Sequence, residues 1–193
     1  MLQSDCLLIV DFQNDFCTGG SLAVKEGDAI VEPINRLMKS FSVIGTTQDW
    51  HPPNHCSFKE QGGIWPPHCI QNTLGAELHP RLDKQPIQFR ILKAQCPEKE
   101  AYSGFDGSHL DEELKKRHIR RIFIAGLTTD YCVRTTALDG LRLGYETVVL
   151  KDLIRAVNLK PGDGENALNE VSRAGALIAH SKDIKKGEFL FAK

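Results

Sequence analysis

The sequence has little net charge and no long apolar run. Its 24 Lys and Arg side chains nearly balance its 25 Asp and Glu side chains, and the formal net charge is -1 at pH 7. Nucleic acids and anionic membranes are bound through basic stripes or clusters, so we expect neither as a partner. No apolar stretch approaches the ~18 residues that a membrane-spanning helix requires. With 193 residues and 41% hydrophobic content, the chain can bury a core and favours one domain, residues 1–193.

We also expect no secretory signal peptide. The first residues, MLQSDCLLIV, contain neither a basic segment nor a long apolar one, so we expect a reducing, cytoplasmic location. In such a compartment cysteines are free thiols rather than disulfides. The chain has six of them: Cys6, Cys17, Cys56, Cys69, Cys96 and Cys132. The question is therefore which of these thiols is reactive.

Short apolar runs alternate with amphipathic stretches along the chain. The predicted strands are CLLIVD, SVIGTTQD, RIFIAGLTTD and ETVVLKD. The stretches with helical periodicity are DAIVEPINRLMKSF, SHLDEELKKRHI, TTALDGLRLG and GENALNEVSRAG. This alternation predicts an α/β fold with three layers, α/β/α, around a mainly parallel central sheet. Ligands of such sheets bind at the carboxyl ends of the strands, which directs attention to Asp11, Asp49 and the loop 126–132.

Residues of about 49–86 are predicted to form a long insertion that begins DWHPPNH. Asp49 and His51 fall on the same side of an extended chain, and two prolines stiffen the segment that follows. The segment suits either a metal site or a polar loop, and the spacing alone does not decide between them. Long loops in compact domains are more often functional than idle.

Cys132 follows a predicted strand and stands where a helix would begin. Free backbone N–H groups and the helix dipole at that place would favour a thiolate, as a nucleophile requires. The alternative is a buried cysteine that packs as a small apolar residue. A base and a cation for such a nucleophile are available in Asp11, at the end of the first strand, and Lys93, after the apolar patch FRIL.

Five segments together resemble one known family. They are VDFQNDFCTGGSL, TTQDWHPPNHCSF, WPPHCIQNTLGAEL, LKAQCPEKEAYSGFDG and GLTTDYCVRTTALDG. In order and spacing they are similar to the nicotinamidase branch of the isochorismatase-like cysteine hydrolases, from about residue 6 to residue 180. The resemblance implies a catalytic triad of Asp11, Lys93 and Cys132. It implies hydrolysis of nicotinamide to nicotinate and ammonia through a cysteine thioester, as in NAD salvage, and expected activity on pyrazinamide.

The resemblance further implies an oxyanion hole made by the backbone N–H groups of Thr128 and Cys132, with a cis peptide between Leu127 and Thr128. It implies one divalent metal ion, with zinc preferred over iron or manganese. The implied ligands are Asp49, His51 and His68, while the role of His55 stays open. The implied aromatic wall of the substrate pocket consists of Phe16, Trp65 and Tyr102. Each of these rings also suits ordinary core packing.

The sequence departs from the family pattern in two places. Ala94 follows the lysine where Gly is commoner, and we expect it to be tolerated if its φ angle is below zero. Thr128 stands where many relatives have Ala, which leaves the backbone N–H unchanged.

Cys96 and the tail after His180 are assigned no function. Relatives often assemble, so a homo-oligomer is compatible with the sequence. The rival functions are another hydrolase of the superfamily and a non-catalytic binding protein.

Overall fold

The computed structural model describes residues 4–184 of the chain. Six parallel strands form one sheet in the order β3-β2-β1-β4-β5-β6. In chain order the strands are β1 (Asp5–Val10), β2 (Val43–Asp49), β3 (Phe89–Lys93), β4 (Arg121–Leu127), β5 (Glu146–Arg155) and β6 (Leu177–Ala179). The α-helices of the described residues are α1 (Val31–Met38), α2 (Leu110–Lys116), α3 (Arg134–Arg142) and α4 (Asp163–Arg173).

Helices cover both faces of the sheet, as the prediction of an α/β/α fold requires. Alternate residues of β1 enter different cores, since Leu7 and Ile9 pack in the core that contains α1, while Leu8 and Val10 pack in the core that contains α2, α3 and α4. A strand buried on both faces has a continuous apolar sequence, which is why the run CLLIV predicted a strand. Within residues 4–184 no helix is both long enough and apolar enough to cross a membrane.

Two strands, β3 and β6, were not predicted. In β3 the apolar pattern is broken by exposed Arg90, and the strand ends on Lys93, which is a buried lysine. β6 has only three residues, too few to show a period. The predicted tail after His180 begins with a short turn, Ser181–Asp183, and residues 185–193 lie outside the described part of the chain.

The strand order reverses at β1. The chain moves from β1 to β2 and β3 on one side and then crosses to β4, β5 and β6 on the other. The carboxyl ends of β1 and β4 therefore border a crevice, which is where open α/β sheets bind ligands. Asp11 follows β1 directly, and the segment with Thr128 and Cys132 follows β4.

The predicted insertion connects β2 to β3. Residues 50–88 are all described and contain no α-helix, only short turns at Lys59–Gln61 and Leu74–Ala76. Instead the segment is fixed by its own apolar side chains and by the amide of Gln13, which donates to the backbone oxygens of Asp49 (2.7 Å) and Ala76 (2.8 Å). Because Gln13 lies just after β1, these hydrogen bonds hold the insertion against the crevice.

Gly126 allows β4 to approach β1 just before the crevice. Its φ angle is +114°, and an added Cβ would lie 2.0 Å from the backbone oxygen of Val10. The β4–β5 register also shifts between Ile124 and Gly126. A side chain at this position would have to move the backbone that carries Asp11.

We predict that Gly126→Ala lowers the free energy of unfolding by about 2 kcal/mol or more, because a strained φ angle and a steric clash add. Gly107→Ala is the matched control, since Gly107 also has a positive φ angle (+63°) but no atom within 4 Å of the added Cβ. It should lose only about 1 kcal/mol. Urea denaturation measures both variants, and equal losses would contradict the steric argument.

Candidate active site

Asp11 is a fully buried carboxylate at the end of β1. Its Oδ1 atom accepts a hydrogen bond from Thr47 Oγ1 at 2.6 Å, and its Oδ2 atom lies 3.0 Å from Lys93 Nζ. Burial raises the pKa of Asp11 to about 6, although the nearby Lys93 ammonium opposes this rise. Asp11 is therefore a stronger base than an ordinary aspartate.

Lys93 ends β3 and joins the two carboxylates of the site. The sheet register pairs it with Asp49, and its ammonium forms ion pairs with both Asp11 and Asp49. It also donates to the backbone oxygen of Ala101 at 3.2 Å. Burial opposes its charge, but the two carboxylates outweigh burial and hold the pKa of Lys93 well above its usual value. The two ion pairs thus favour the charged form of this buried lysine.

Cys132 lies in the π-helical turn Thr129–Val133, which leads into α3. Its Sγ atom is 3.5 Å from Lys93 Nζ and within 4.8 Å of a carboxylate oxygen of Asp11. Burial, reinforced by Asp11 and Asp49, raises the pKa of the thiol well above its usual value despite Lys93. Burial and the two carboxylates thus oppose the thiolate that the helix start was expected to favour.

The turn around Cys132 has the backbone geometry that the motif implied. The peptide between Leu127 and Thr128 is cis. The Thr128 oxygen accepts hydrogen bonds from the N–H groups of Tyr131 (3.2 Å) and Val133 (3.0 Å). The carbonyl of Thr128 is thus used inside the turn, and Thr128 and Cys132 both lie on the substrate cavity described below.

Asp49, His51 and His68 form a group that fits a divalent metal ion. One potential ligand atom from each lies within 4.8 Å of the others. His51 Nδ1 donates to the His68 oxygen (3.0 Å) and His68 Nδ1 to the Pro66 oxygen (2.8 Å), so each ring keeps Nε2 as its lone-pair nitrogen. Burial lowers the pKa of His51 to about 4, which keeps that ring neutral. Two neutral imidazoles and a carboxylate suit zinc, iron or manganese.

His55 lies beside this group rather than in it. Its ring is 4.4 Å from the ring of His51, but both of its nitrogens have other partners. Nδ1 is 2.8 Å from Ser57 Oγ, and Nε2 is 3.1 Å from the Lys99 oxygen. These contacts hold the insertion to the segment after β3.

A second mixed group, Cys17, Asp28 and His79, also has ligand atoms within 4.8 Å of one another. Its hydrogen bonds indicate a structural network. The Asp28 carboxylate contacts His79 Nε2 at 3.1 Å and accepts from the hydroxyl and the N–H of Thr18. A carboxylate with so many donors is already satisfied without an ion.

A cavity beside Cys132, here called the substrate cavity, is mainly lined by apolar side chains. It brings together the three expected aromatic residues, Phe16, Trp65 and Tyr102, with Asp49, His68 and Cys132 at its polar side. Trp65 Nε1 donates to the Tyr102 hydroxyl at 3.0 Å, which fixes both rings. Aromatic walls with a few polar groups at one side suit a flat ring that carries a polar group.

Sequence reasoning missed several residues of the site. Thr47 stands two positions before Asp49, so strand alternation would have placed it on the same face. Tyr131, whose ring is 4.9 Å from Trp65, adjoins the nucleophile in sequence. Leu22 and Val157 also line the cavity, but no local pattern indicates them.

Ala94 does not meet the condition expected of it. Its φ angle is +54°, in the left-handed region, where a Cβ costs about 1 kcal/mol. Gly, which is commoner than Ala at this position in the family, would avoid this cost. In this chain the cost of the left-handed Cβ falls on the turn that follows Lys93.

The class of protein follows from this fold and site together with one family match. The family described as the Isochorismatase domain matches residues 5–183. The chain belongs to this family, as its motifs predicted. A nicotinamidase of Escherichia coli (strain K12) is 42% identical over 198 aligned residues, which cover 89% of this chain and 92% of the relative. A nicotinamidase/pyrazinamidase of Mycobacterium tuberculosis is 39% identical over 165 residues, with coverage of 79% and 87%.

Solved structures agree with the sequence relatives. The pyrazinamidase of Pyrococcus horikoshii in complex with zinc has a TM-score of 0.85 and 44% identity, and the match covers 92% of this chain and 99% of that one. PnC1 of L. infantum in complex with nicotinate has a TM-score of 0.89 and 39% identity, with coverage of 93% and 94%. The predicted resemblance to nicotinamidases is confirmed, and the chain is an amide-hydrolysing enzyme of this family.

We predict that the purified chain binds one zinc ion and that His68→Gln abolishes this binding, because a ligand nitrogen is lost. His55→Gln is the matched control and should keep the ion, since both nitrogens of His55 are used in other hydrogen bonds. Competition with a chromophoric chelator gives the stoichiometry, and circular dichroism checks folding. Loss of zinc from folded His55→Gln would contradict this ligand set.

Proposed function

We propose that this enzyme converts nicotinamide to nicotinate and ammonia, accepts pyrazinamide as well, and uses a thioester on Cys132 together with a divalent metal ion. The observation that carries the proposal is the contact of Cys132 with Asp11 and Lys93 beside an aromatic cavity. The metal-ligating group borders the same cavity through Asp49 and His68. In a cell this reaction would serve NAD salvage, and we propose that residues 1–193 act as one cytoplasmic domain, open to homo-oligomerisation.

Acylation begins with the proton of the Cys132 thiol. Asp11 accepts this proton as the sulfur attacks the carboxamide carbon and gives a tetrahedral intermediate. Asp11 then passes the proton to the leaving nitrogen, and the C–N bond breaks to release ammonia. The product of this half-reaction is a thioester between Cys132 and the pyridine acyl group.

The oxyanion of the intermediate requires hydrogen-bond donors. The backbone N–H groups of Thr128 and Cys132 are our candidates, because both residues lie at the cavity and the Thr128 carbonyl is used inside the turn. Donors of this type lower the barrier by about 3 kcal/mol each in other enzymes. The Lys93 ammonium, 3.5 Å from the sulfur, would also stabilise the negative charge that develops there.

In deacylation Asp11 again acts first as a base and then as an acid. Asp11 takes a proton from a water molecule as its oxygen attacks the thioester carbon. The C–S bond then breaks, the sulfur regains the proton from Asp11, and nicotinic acid leaves and loses its remaining proton to solvent to give nicotinate. One carboxylate thus acts as base and as acid in both half-reactions, which suits its raised pKa.

Asp49, His51 and His68 would hold the metal ion, and zinc is our first candidate. A bound ion there would supply a Lewis acid that coordinates the pyridine nitrogen, directly or through water. The protein itself would position the ring between Phe16, Trp65 and Tyr102, because flat aromatic walls suit a flat heteroaromatic substrate.

The test of this proposal is ammonia release from nicotinamide by the purified enzyme. We expect turnover that is lost after chelation and restored by zinc, iron or manganese. The same assay with pyrazinamide tests the substrate range. Folded, metal-loaded protein that releases no ammonia from nicotinamide would overturn the proposal and favour another amide substrate.

The cysteine mechanism is tested separately. Cys132→Ala should reduce turnover by at least about 10⁴-fold, since no nucleophile remains, while folding and zinc binding persist. Cys96→Ala is the control, because Cys96 is exposed and should be dispensable. Substantial turnover by Cys132→Ala would show that water, rather than sulfur, attacks the amide.

A further inference from the structure

Asp130 is a buried acid in the nucleophile turn that the proposed mechanism does not use. Its side chain accepts two backbone hydrogen bonds from the segment after β5. Oδ1 accepts from Val157 N–H at 3.0 Å, and Oδ2 accepts from Asn158 N–H at 2.7 Å. The residue is only 5% exposed. Hydrogen bonds from N–H groups to a buried carboxylate are among the stronger ones in proteins.

The same segment is fixed from its other side by α4. Asn158 has a φ angle of +53°, and its Oδ1 atom accepts from Gly164 N–H at 2.9 Å. A Cβ on Gly164 would lie 2.6 Å from the Cβ of Ala156, so the helix packs closely on the segment. Residues 156–158 are thus held between the nucleophile turn and α4.

Val157 lines the substrate cavity. It is the middle residue of the held segment and lies in a part of the chain with no strand or helix of its own. Its position at the cavity therefore depends on the hydrogen bonds that fix its backbone. Of these, the bonds to Asp130 connect it to the same turn that carries Cys132.

We propose that Asp130 is a positioning residue that ties residues 156–158 to the nucleophile turn, so that Val157 forms an apolar wall of the substrate site. The proposal rests on the proposed function, because the wall matters only if an uncharged ring binds there. Asp130 acts through Val157 and does not touch the reacting atoms. Its loss should weaken substrate binding more than it slows the chemical steps.

The experiment compares Asp130→Asn with wild type. Asn keeps one acceptor oxygen but turns an NH₂ group towards the second backbone N–H. We expect KM for nicotinamide to rise about tenfold, as loss of one charged hydrogen bond predicts, with kcat within about threefold of wild type. Amide hydrogen exchange in residues 156–158, followed by mass spectrometry, should become faster.

Asp152→Asn is the matched control. Asp152 likewise accepts from a backbone N–H and a hydroxyl, both of Ser181, but Ser181, unlike Val157, does not line the substrate cavity. It should change neither KM nor exchange in residues 156–158. If kcat falls in Asp130→Asn while KM and exchange stay unchanged, Asp130 supports the nucleophile turn itself and the proposal is overturned.

The exchange measurement also separates this proposal from the proposed function, since it needs no turnover. If wild type does not hydrolyse nicotinamide, the proposed function fails, and exchange alone then decides whether Asp130 holds the segment.

Val157→Thr is the second variant, for use if Asp130→Asn does not fold. It keeps the side-chain shape and the backbone bonds but adds a hydroxyl. It should raise KM with exchange unchanged, and an unchanged KM would remove Val157 from the substrate site.

Discussion

The buried ammonium of Lys93 is the interaction on which the rest of the site depends. Two carboxylates, Asp11 and Asp49, lie in the same water-poor crevice, and each would resist ionisation or repel the other without a cation between them. Lys93 contacts both and also approaches the sulfur of Cys132. It therefore links the proposed base, the proposed nucleophile and the candidate metal ligand Asp49 in one electrostatic unit. A buried charge of this kind is a poor way to stabilise a fold, and its presence indicates that the site has a function.

The sheet explains how these groups meet. Asp11, Asp49 and Lys93 come from the ends of three adjacent parallel strands, and the nucleophile turn follows a fourth. Strand register sets the pairing of Asp49 with Lys93, and Gly126 lets β4 approach β1 closely. The two segments without helices, the insertion after β2 and the loop after β5, then supply the imidazoles and part of the cavity wall. Rigid strands thus carry the charged groups, and hydrogen-bonded loops shape the space for the substrate.

Much of the fold could be predicted from the sequence, because strands buried on both faces leave apolar runs. β3 was not predicted because it ends on a buried lysine. The same lysine makes this strand important for the site. For the site, strand alternation indicated Asp49 and His51, but the joining of Asp11, Lys93 and Cys132 was inferred from family motifs. The raised pKa of the Cys132 thiol and the left-handed Ala94 were not foreseen, because burial and φ angles arise from tertiary packing. Contacts such as that of Asp130 with the loop after β5 leave no local pattern at all.

A double-mutant comparison tests most directly whether Lys93 is the centre of this arrangement. In metal-free protein, Lys93→Met should lower the free energy of unfolding by about 3–5 kcal/mol, because it leaves carboxylates buried without their cation. Adding Asp11→Asn to this variant removes one of those charges, so the double variant should be more stable than Lys93→Met alone. Urea denaturation at neutral pH measures both, with Asp11→Asn as the reference. If the two losses simply add, Asp11 and Lys93 do not depend on each other, and Lys93 is not the electrostatic centre of the site.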